Sequence, residues 1–295
     1  MDNIIFNLGI VPLGDELNIF RNLLLDLLYK KHITADIIVC CKRDRVIFYE
    51  KIFKNIVFLD DVYSENRETL IQNLKTRALE TFGKEYQVLF ACDMLLWPGI
   101  PMTNHGYENM LDMKFSITSD NIFNYSKINY YNNSNYPIEF KEMVTNINYL
   151  DELPAFNNEK FIVYHHRVKN DNMWDQPDEK LKAILKLKEK YNIVICSHVD
   201  YSYLREPNVY TITELNEFAS FIHSENCIAL ISVWSGGGQI GSYCNNTKTI
   251  MFFDKTQIQV DRTEDSLKKY IDSENGFDFC HFTDSKKNIY KRKRI

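Results

Sequence analysis

Cys227-Ile228-Ala229-Leu230-Ile231-Ser232-Val233-Trp234-Ser235-Gly236-Gly237-Gly238-Gln239-Ile240-Gly241 is the stretch on which the reading of this chain turns. An unbroken apolar run of strand length gives way to three consecutive glycines. A short helical stretch follows, and then a second apolar run from Thr249 to Phe253. Glycines at such a junction let the backbone turn sharply and aim its N–H groups, with the helix N-terminus, at an anion. The alternative is a tight strand-to-helix turn that holds no ligand. Glycine totals only 10 in 295 residues, so three together at a strand's carboxyl end favour a phosphate held by Ser235, Gly236, Gly237 and Gly238.

The same strand-then-helix rhythm extends in both directions. In the second half, Phe161 to Tyr164 reads as a strand, Asp178 to Tyr191 as a helix, Asn192 to Cys196 as a strand and Glu214 to His223 as a helix. In the first half, Ile4 to Leu8 reads as a strand, and Gly9 and Gly14 mark the loop after it. A helix follows with Leu17, Phe20, Leu24 and Leu27 or Leu28 on one face. Asp36 to Cys41, Asn55 to Leu59 and Tyr86 to Ala91 read as further strands, separated by helices around Val46 to Phe53 and Arg67 to Phe82. Strands apolar on both faces are what a parallel sheet covered by helices on each side requires. From about Ser116 to Asn158 the rhythm dissolves into Asn- and Tyr-rich sequence, which marks the inter-domain region. The expectation is an α/β chain of two Rossmann-like domains, residues 1–150 and 151–295, facing each other across a cleft between the carboxyl ends of their strands.

Composition narrows the function classes. With 35 Lys and Arg against 40 Asp and Glu, the net charge is −5, which disfavours nucleic acid as a partner. The terminal run Lys291-Arg292-Lys293-Arg294 is the segment suited to phosphates or lipid head groups, and as a terminal charge run it reads as a solvated tail. No apolar run approaches the roughly 18 residues of a membrane span, and Met1 to Asn7 reads as a first strand rather than a signal peptide. The seven cysteines show no Cys-X-X-Cys spacing and read as reduced, mostly buried thiols. A cytoplasmic protein is expected. No His/Cys pair has metal-ligand spacing and Asp-X-Asp is absent, so no metal and no cofactor is expected.

Two further segments carry chemistry. Tyr164-His165-His166-Arg167-Val168-Lys169 follows the first strand of the second half, where Arg167 and Lys169 are placed to clamp a diphosphate or, alternatively, form a solvated basic loop. His165 and His166 are acid/base candidates, although one of an adjacent pair on a strand end often points into packing. In Val11-Pro12-Leu13-Gly14-Asp15-Glu16-Leu17, Asp15 is either the cap of the first helix or a general base.

Together these segments resemble the ADP-heptose:lipopolysaccharide heptosyltransferase family of GT-B glycosyltransferases. That family's first loop is similar to Gly14-Asp15-Glu16-Leu17, and its second domain opens with a cationic loop and a Trp, similar to Arg167, Lys169 and Trp174. Its helix, apolar strand, Asp-Ser/Thr-Gly turn and helix are similar to Phe218-Ala219, Cys227 to Ile231 and Ser235-Gly236-Gly237. The resemblance implies a metal-independent sugar transfer from a nucleotide-sugar donor to a glycan or glycolipid acceptor, residues 1–150 forming the acceptor side and 151–295 the donor side. It implies Asp15 as catalytic base, Arg167, Lys169 and Ser235 to Gly238 on the diphosphate, and Glu214 or Glu217 on a ribose. Trp234 stands where the family has Asp, and Gln239 where it has His, departures that bear on the donor nucleotide rather than the fold. His165-His166-Arg167 is also similar to the His-X-Arg element of GDP-fucose-dependent transferases. A nucleotide-sugar 2-epimerase shares the layout and a Ser-Gly-Gly loop but usually needs more acidic residues around the sugar. A catalytically silent binding protein of the same fold is the third reading, kept open by Trp234.

Overall fold

The computed structural model describes residues 3–31, 36–91, 137–156, 159–166, 177–198, 201, 204, 206–232, 236–244, 249–252 and 280–281. The chain divides into two compact units, Met1–Asn148 and Tyr149–Ile295.

In the first unit, β1 (Ile4–Asn7) is buried along its whole length and leads into one continuous helical segment, α1. That segment is α-helical over Leu13–Asp15, π-helical over Glu16–Arg21 and α-helical again over Asn22–Tyr29. Then come β2 (Ile37–Cys41), a 3-10 turn at Arg43–Phe48, β3 (Ile56–Phe58), a 3-10 turn at Leu59–Asp61, α2 (Arg67–Phe82), β4 (Gln87–Phe90) and α3 (Ile138–Thr145). Among the described residues the four strands are parallel in the order β3-β2-β1-β4.

Helix α2 shows how local sequence sets an element. Asn66 caps it by accepting from the Thr69 N–H at 2.9 Å, and Leu70, Leu74 and Ala78, spaced one helical turn apart, form its buried stripe. Gly83 ends it in the left-handed region, φ 69°, with its N–H bonded to the Leu79 carbonyl. The stripe packs on Ile5, Ile38, Cys40 and Val57 of the sheet.

The second unit contains β5 (Phe161–His165), α4 (Pro177–Leu185, continued as a 3-10 turn at Lys186–Glu189), β6 (Asn192–Cys196) and β7 (Val209–Ile212). It continues with α5 (Leu215–His223), β8 (Cys227–Ser232), α6 (Gly236–Cys244), β9 (Thr249–Phe252) and β10 (Cys280–His281). Among the described residues its six strands, again all parallel, run β10-β9-β8-β5-β6-β7. Read in chain order from β5, this is the 3-2-1-4-5-6 order of a Rossmann sheet. Ile162, Tyr164, Ile193, Ile195, Ala229 and Ile231 form its core against Leu181, Ile184 and Leu187.

The two-sheet α/β expectation holds, and three local readings change. The helix expected at 46–53 is the 3-10 turn Arg43–Phe48. A helix, α3, occupies part of the Asn- and Tyr-rich region. Gly236, Gly237 and Gly238 are the first turn of α6 rather than a loop. Cys40, Cys41, Cys196, Cys227 and Cys244 are buried. Among the described residues no helix is long and apolar enough to cross a membrane.

Replacing Asn66 with Ala removes the only side-chain acceptor that caps α2, among the described residues. Asn66→Ala is expected to cost about 1 kcal/mol, read from the denaturant midpoint at unchanged slope.

Candidate functional site

In the second unit β5 lies at the centre, paired with β6 on one side and β8 on the other. Chain order reverses between β5 and β8, so the crevice at their carboxyl ends is where a ligand of such a sheet binds. His165 ends β5, Ser232 ends β8, and α6 begins at Gly236. His165 Nδ1 and Ser232 Oγ share a hydrogen bond of 3.1 Å across the two strands.

The glycines acquire a different physical reason here. A Cβ on Gly237 would sit 2.4 Å from His165 Cε1 and 2.6 Å from its Nε2. Any side chain there would have to push the ring aside, so glycine at 237 is what lets the first turn of α6 reach the imidazole edge in this arrangement. Desolvation of the ring, reinforced by His166 and His198, lowers the His165 pKa to about 4. The imidazole is therefore neutral at neutral pH and supplies hydrogen bonds rather than positive charge. Phe218 of α5 flanks it with a ring-centroid separation of 5.5 Å.

His166 turns the other way. It is fully buried, and its Nδ1 and Nε2 share hydrogen bonds of 3.2 Å with the hydroxyls of Tyr164 and Tyr201. It is the packing member of the histidine pair. Of the two ribose candidates, Glu217 is half-buried beside Phe218, its pKa raised by desolvation and then by the like charge of Glu214. Glu214 is exposed at the N-cap of α5, where its side chain makes no capping bond. Arg167, Lys169, Trp174, Trp234 and Ser235 lie outside the described residues. The structure thus brings Gly236 to Gly238 together with His165 and Ser232, a pair whose joint position the sequence did not signal.

In the first unit the order β3-β2-β1-β4 reverses between β1 and β4, and Asn7 ends β1 at that point. Its Oδ1 accepts from the Gly9 N–H at 3.1 Å. Asp15 lies in the first turn of α1 and is exposed. It is not the cap: Pro12 occupies the N-cap, with no side-chain bond there. Partial desolvation raises the Asp15 pKa, a shift in the direction that suits a base.

Glu16, the next residue, is fully buried. It is ion-paired to Arg45 and accepts from the Tyr49 hydroxyl at 2.7 Å. Burial pushes its carboxyl up to about 7, with the Arg45 guanidinium and the Tyr49 hydroxyl holding it back. Asp60 and Asp61 have a structural task, accepting from Arg43 N at 2.8 Å and Arg43 Nη2 at 2.6 Å respectively. Among the described residues no group of three His, Cys, Asp or Glu is placed to hold a metal ion.

No protein-family model matches the chain, and no curated protein matches it in sequence. Solved structures do match. Escherichia coli heptosyltransferase WaaC with ADP superimposes at TM-score 0.57 and 11% identity, covering 90% of this chain and 99% of that one. The same enzyme with ADP-2-deoxy-2-fluoro heptose gives TM-score 0.55 at 10% identity, with the same coverage of 90% and 99%. The glycosyl transferase family 9 structure from Veillonella parvula DSM 2008 gives 0.50 at 14%, covering 91% of this chain and 89% of that one. The fold is that of GT-B glycosyltransferases.

Two outcomes are expected from this geometry. Gly237→Ala forces a methyl group into the His165 ring and should destabilise the second unit by about 1–3 kcal/mol through overpacking, read by chemical denaturation. Glu16 holds its proton more tightly when folded, with a pKa raised from 4.5 to about 7. Between those values the native state binds more protons than the unfolded chain, so this group's contribution to stability falls as pH rises through that window. Glu16→Gln should flatten that part of the melting-temperature profile, and superimposable profiles for the two proteins would contradict the assignment.

Proposed function

We propose that this chain is a metal-independent GT-B glycosyltransferase, acting in the cytoplasm on a nucleotide-diphosphate sugar and a hydroxyl of a glycan or glycolipid. The observation that carries the reading is the convergence of His165, Ser232 and the glycine start of α6 at the point where the second sheet's strand order reverses. Open α/β sheets bind nucleotides there, and a helix N-terminus directed at the site favours a phosphate. The fold shared with heptosyltransferase supports the same reaction class.

In this reading the acceptor oxygen attacks the anomeric carbon while Asp15 takes its proton. The bond from that carbon to the diphosphate oxygen breaks as the new glycosidic bond forms, and negative charge gathers on the leaving diphosphate. The N–H groups at Gly236 to Gly238 and Ser235, together with Arg167 and Lys169, neutralise that charge without a metal. His165, neutral by virtue of its lowered pKa, orients this edge through Ser232 and leaves the positive charge to those cations. Glu217, and Glu214 beside it, are the groups offered to the ribose. The exposed Asp15 carboxylate, free of any capping duty, is available to accept the proton.

A thermal-shift panel of UDP, GDP, ADP and CMP tests donor binding, since a nucleotide that binds the native state raises its melting temperature. One nucleotide should stabilise the chain, and Arg167→Ala should weaken its binding by about 1.5–3 kcal/mol. No stabilisation by any of the four would point to a catalytically silent fold. With the matching nucleotide sugar, Asp15→Asn should lower turnover by roughly 100- to 10,000-fold at nearly constant donor affinity. Near-normal transfer by that variant would remove Asp15 from the mechanism.

A further inference from the structure

The loop that delivers Asp15 is held from one side by a single guanidinium. Arg45 lies in the 3-10 turn after β2, the strand next to β1 in the sheet. Its Nη1 donates to the Val11 carbonyl at 2.9 Å and also to the Glu16 carboxylate. Those two acceptors bracket Asp15, which lies between them in sequence. Tyr49, just beyond the same turn, adds its hydroxyl to Glu16 at 2.7 Å. The Glu16 N–H closes the first helical turn on the Pro12 carbonyl at 2.9 Å.

The π-helical stretch Glu16–Arg21 extends this grip. Hydrogen bonding from i to i+5 widens the turn, so residues five apart come onto one face, whereas in an α-helix they diverge. Glu16 and Arg21 are five apart and both fully buried. Arg21 Nε donates to the Phe48 carbonyl at 2.9 Å, and its Nη1 to the Val144 carbonyl at 2.7 Å. The Arg43–Phe48 turn therefore holds α1 twice, through Arg45 on Glu16 and through Phe48 on Arg21. A buried ion pair is weak evidence for stability, because apolar residues would fill the space without the desolvation cost. What this pair supplies is a fixed geometry.

We propose that Arg45, acting with Glu16 and Tyr49, is a positioning residue that fixes the Val11–Glu16 segment and so sets the direction in which Asp15 presents its carboxylate. The proposal rests on Asp15 being the base of the reaction proposed above. Lysine is a weak substitute for Arg45 in this task, because the two N–H bonds of Nη1, the atom that meets both the carbonyl and the carboxylate, lie fixed in the guanidinium plane, whereas an ammonium turns freely on its stem. The group touches no substrate; it acts through Asp15.

The test uses the full chain and its Arg45→Lys and Tyr49→Phe variants, with two readouts. The first is amide hydrogen exchange across residues 13–17. The second is turnover of ADP-, UDP-, GDP- and CMP-sugars. Loosening of the segment should speed exchange there by about ten-fold or more in Arg45→Lys, with α2 unaffected. Turnover should fall about ten-fold or more, as expected when a catalytic group is misplaced, while the donor KM stays within about two-fold. Tyr49→Phe removes one hydrogen bond and no charge, so it should show the same pattern more weakly and decides the matter if Arg45→Lys does not fold. Unchanged exchange in the folded variants, or full turnover from a loosened segment, overturns the proposal. Should the wild-type chain turn over none of the four sugars, the base role of Asp15 falls, and the exchange readout alone then upholds or overturns the clamp.

Discussion

Parallel pairing is the constraint on which the rest of this structure depends. Every strand pair with a described register is parallel, so each strand must be followed by a crossover that returns the chain to the same starting edge. Strand carboxyl ends therefore gather along one edge of each sheet, and the loops that leave them gather there too. His165 and Ser232 are 67 residues apart in the chain yet share a hydrogen bond, because β5 and β8 are neighbours with their carboxyl ends aligned. The order reversal at that pair separates the flanking crossovers and leaves the edge open between them.

The two units hold their carboxyl edges by different physics. In the second, a small residue permits close approach: Gly237 lets the helix start against an imidazole, and desolvation keeps that imidazole uncharged. In the first, a buried ion pair and its hydrogen bonds fix the loop from the side. The difference suits what each edge is proposed to meet. A diphosphate needs backbone N–H groups brought close, which side-chain bulk would prevent. A single carboxylate needs a rigid mounting, which directional hydrogen bonds provide better than apolar contact does.

How far the sequence could be read followed from burial. Ile4–Asn7, Ile37–Cys41, Asn192–Cys196 and Cys227–Ser232 announced themselves because central parallel strands are covered on both faces and read as apolar runs. Val209–Ile212 did not, since this edge strand is half-buried and mixes Tyr and Thr with its aliphatic residues. The glycine run stands out in the sequence, where conformational freedom is the reason a local pattern offers for it. Its actual requirement, the proximity of His165, is a tertiary contact that no local pattern encodes. The 3-10 turn at Arg43–Phe48 stands where the sequence from Val46 to Phe53 predicts a helix, because tertiary bonds to Val11, Glu16 and Arg21 override the local pattern.

Helix α1 shows why two adjacent acids could not be told apart. An amphipathic pattern from Leu17 to Leu27 leads one to expect charged positions on the outer face. Instead, every residue from 16 to 27 whose burial is described is buried, Glu16, Arg21, Asn22 and Asp26 included. Charged groups buried along a helix in this way call for partners inside the fold. Glu16 meets Arg45 and Tyr49, Arg21 meets two carbonyls, and Asp26 pairs with Lys30 at 2.7 Å. Asp15 stands one residue before this enclosure begins and is exposed. Its neighbour's carboxyl is committed inside the fold, so between these two acids the carboxylate that another molecule can reach is that of Asp15.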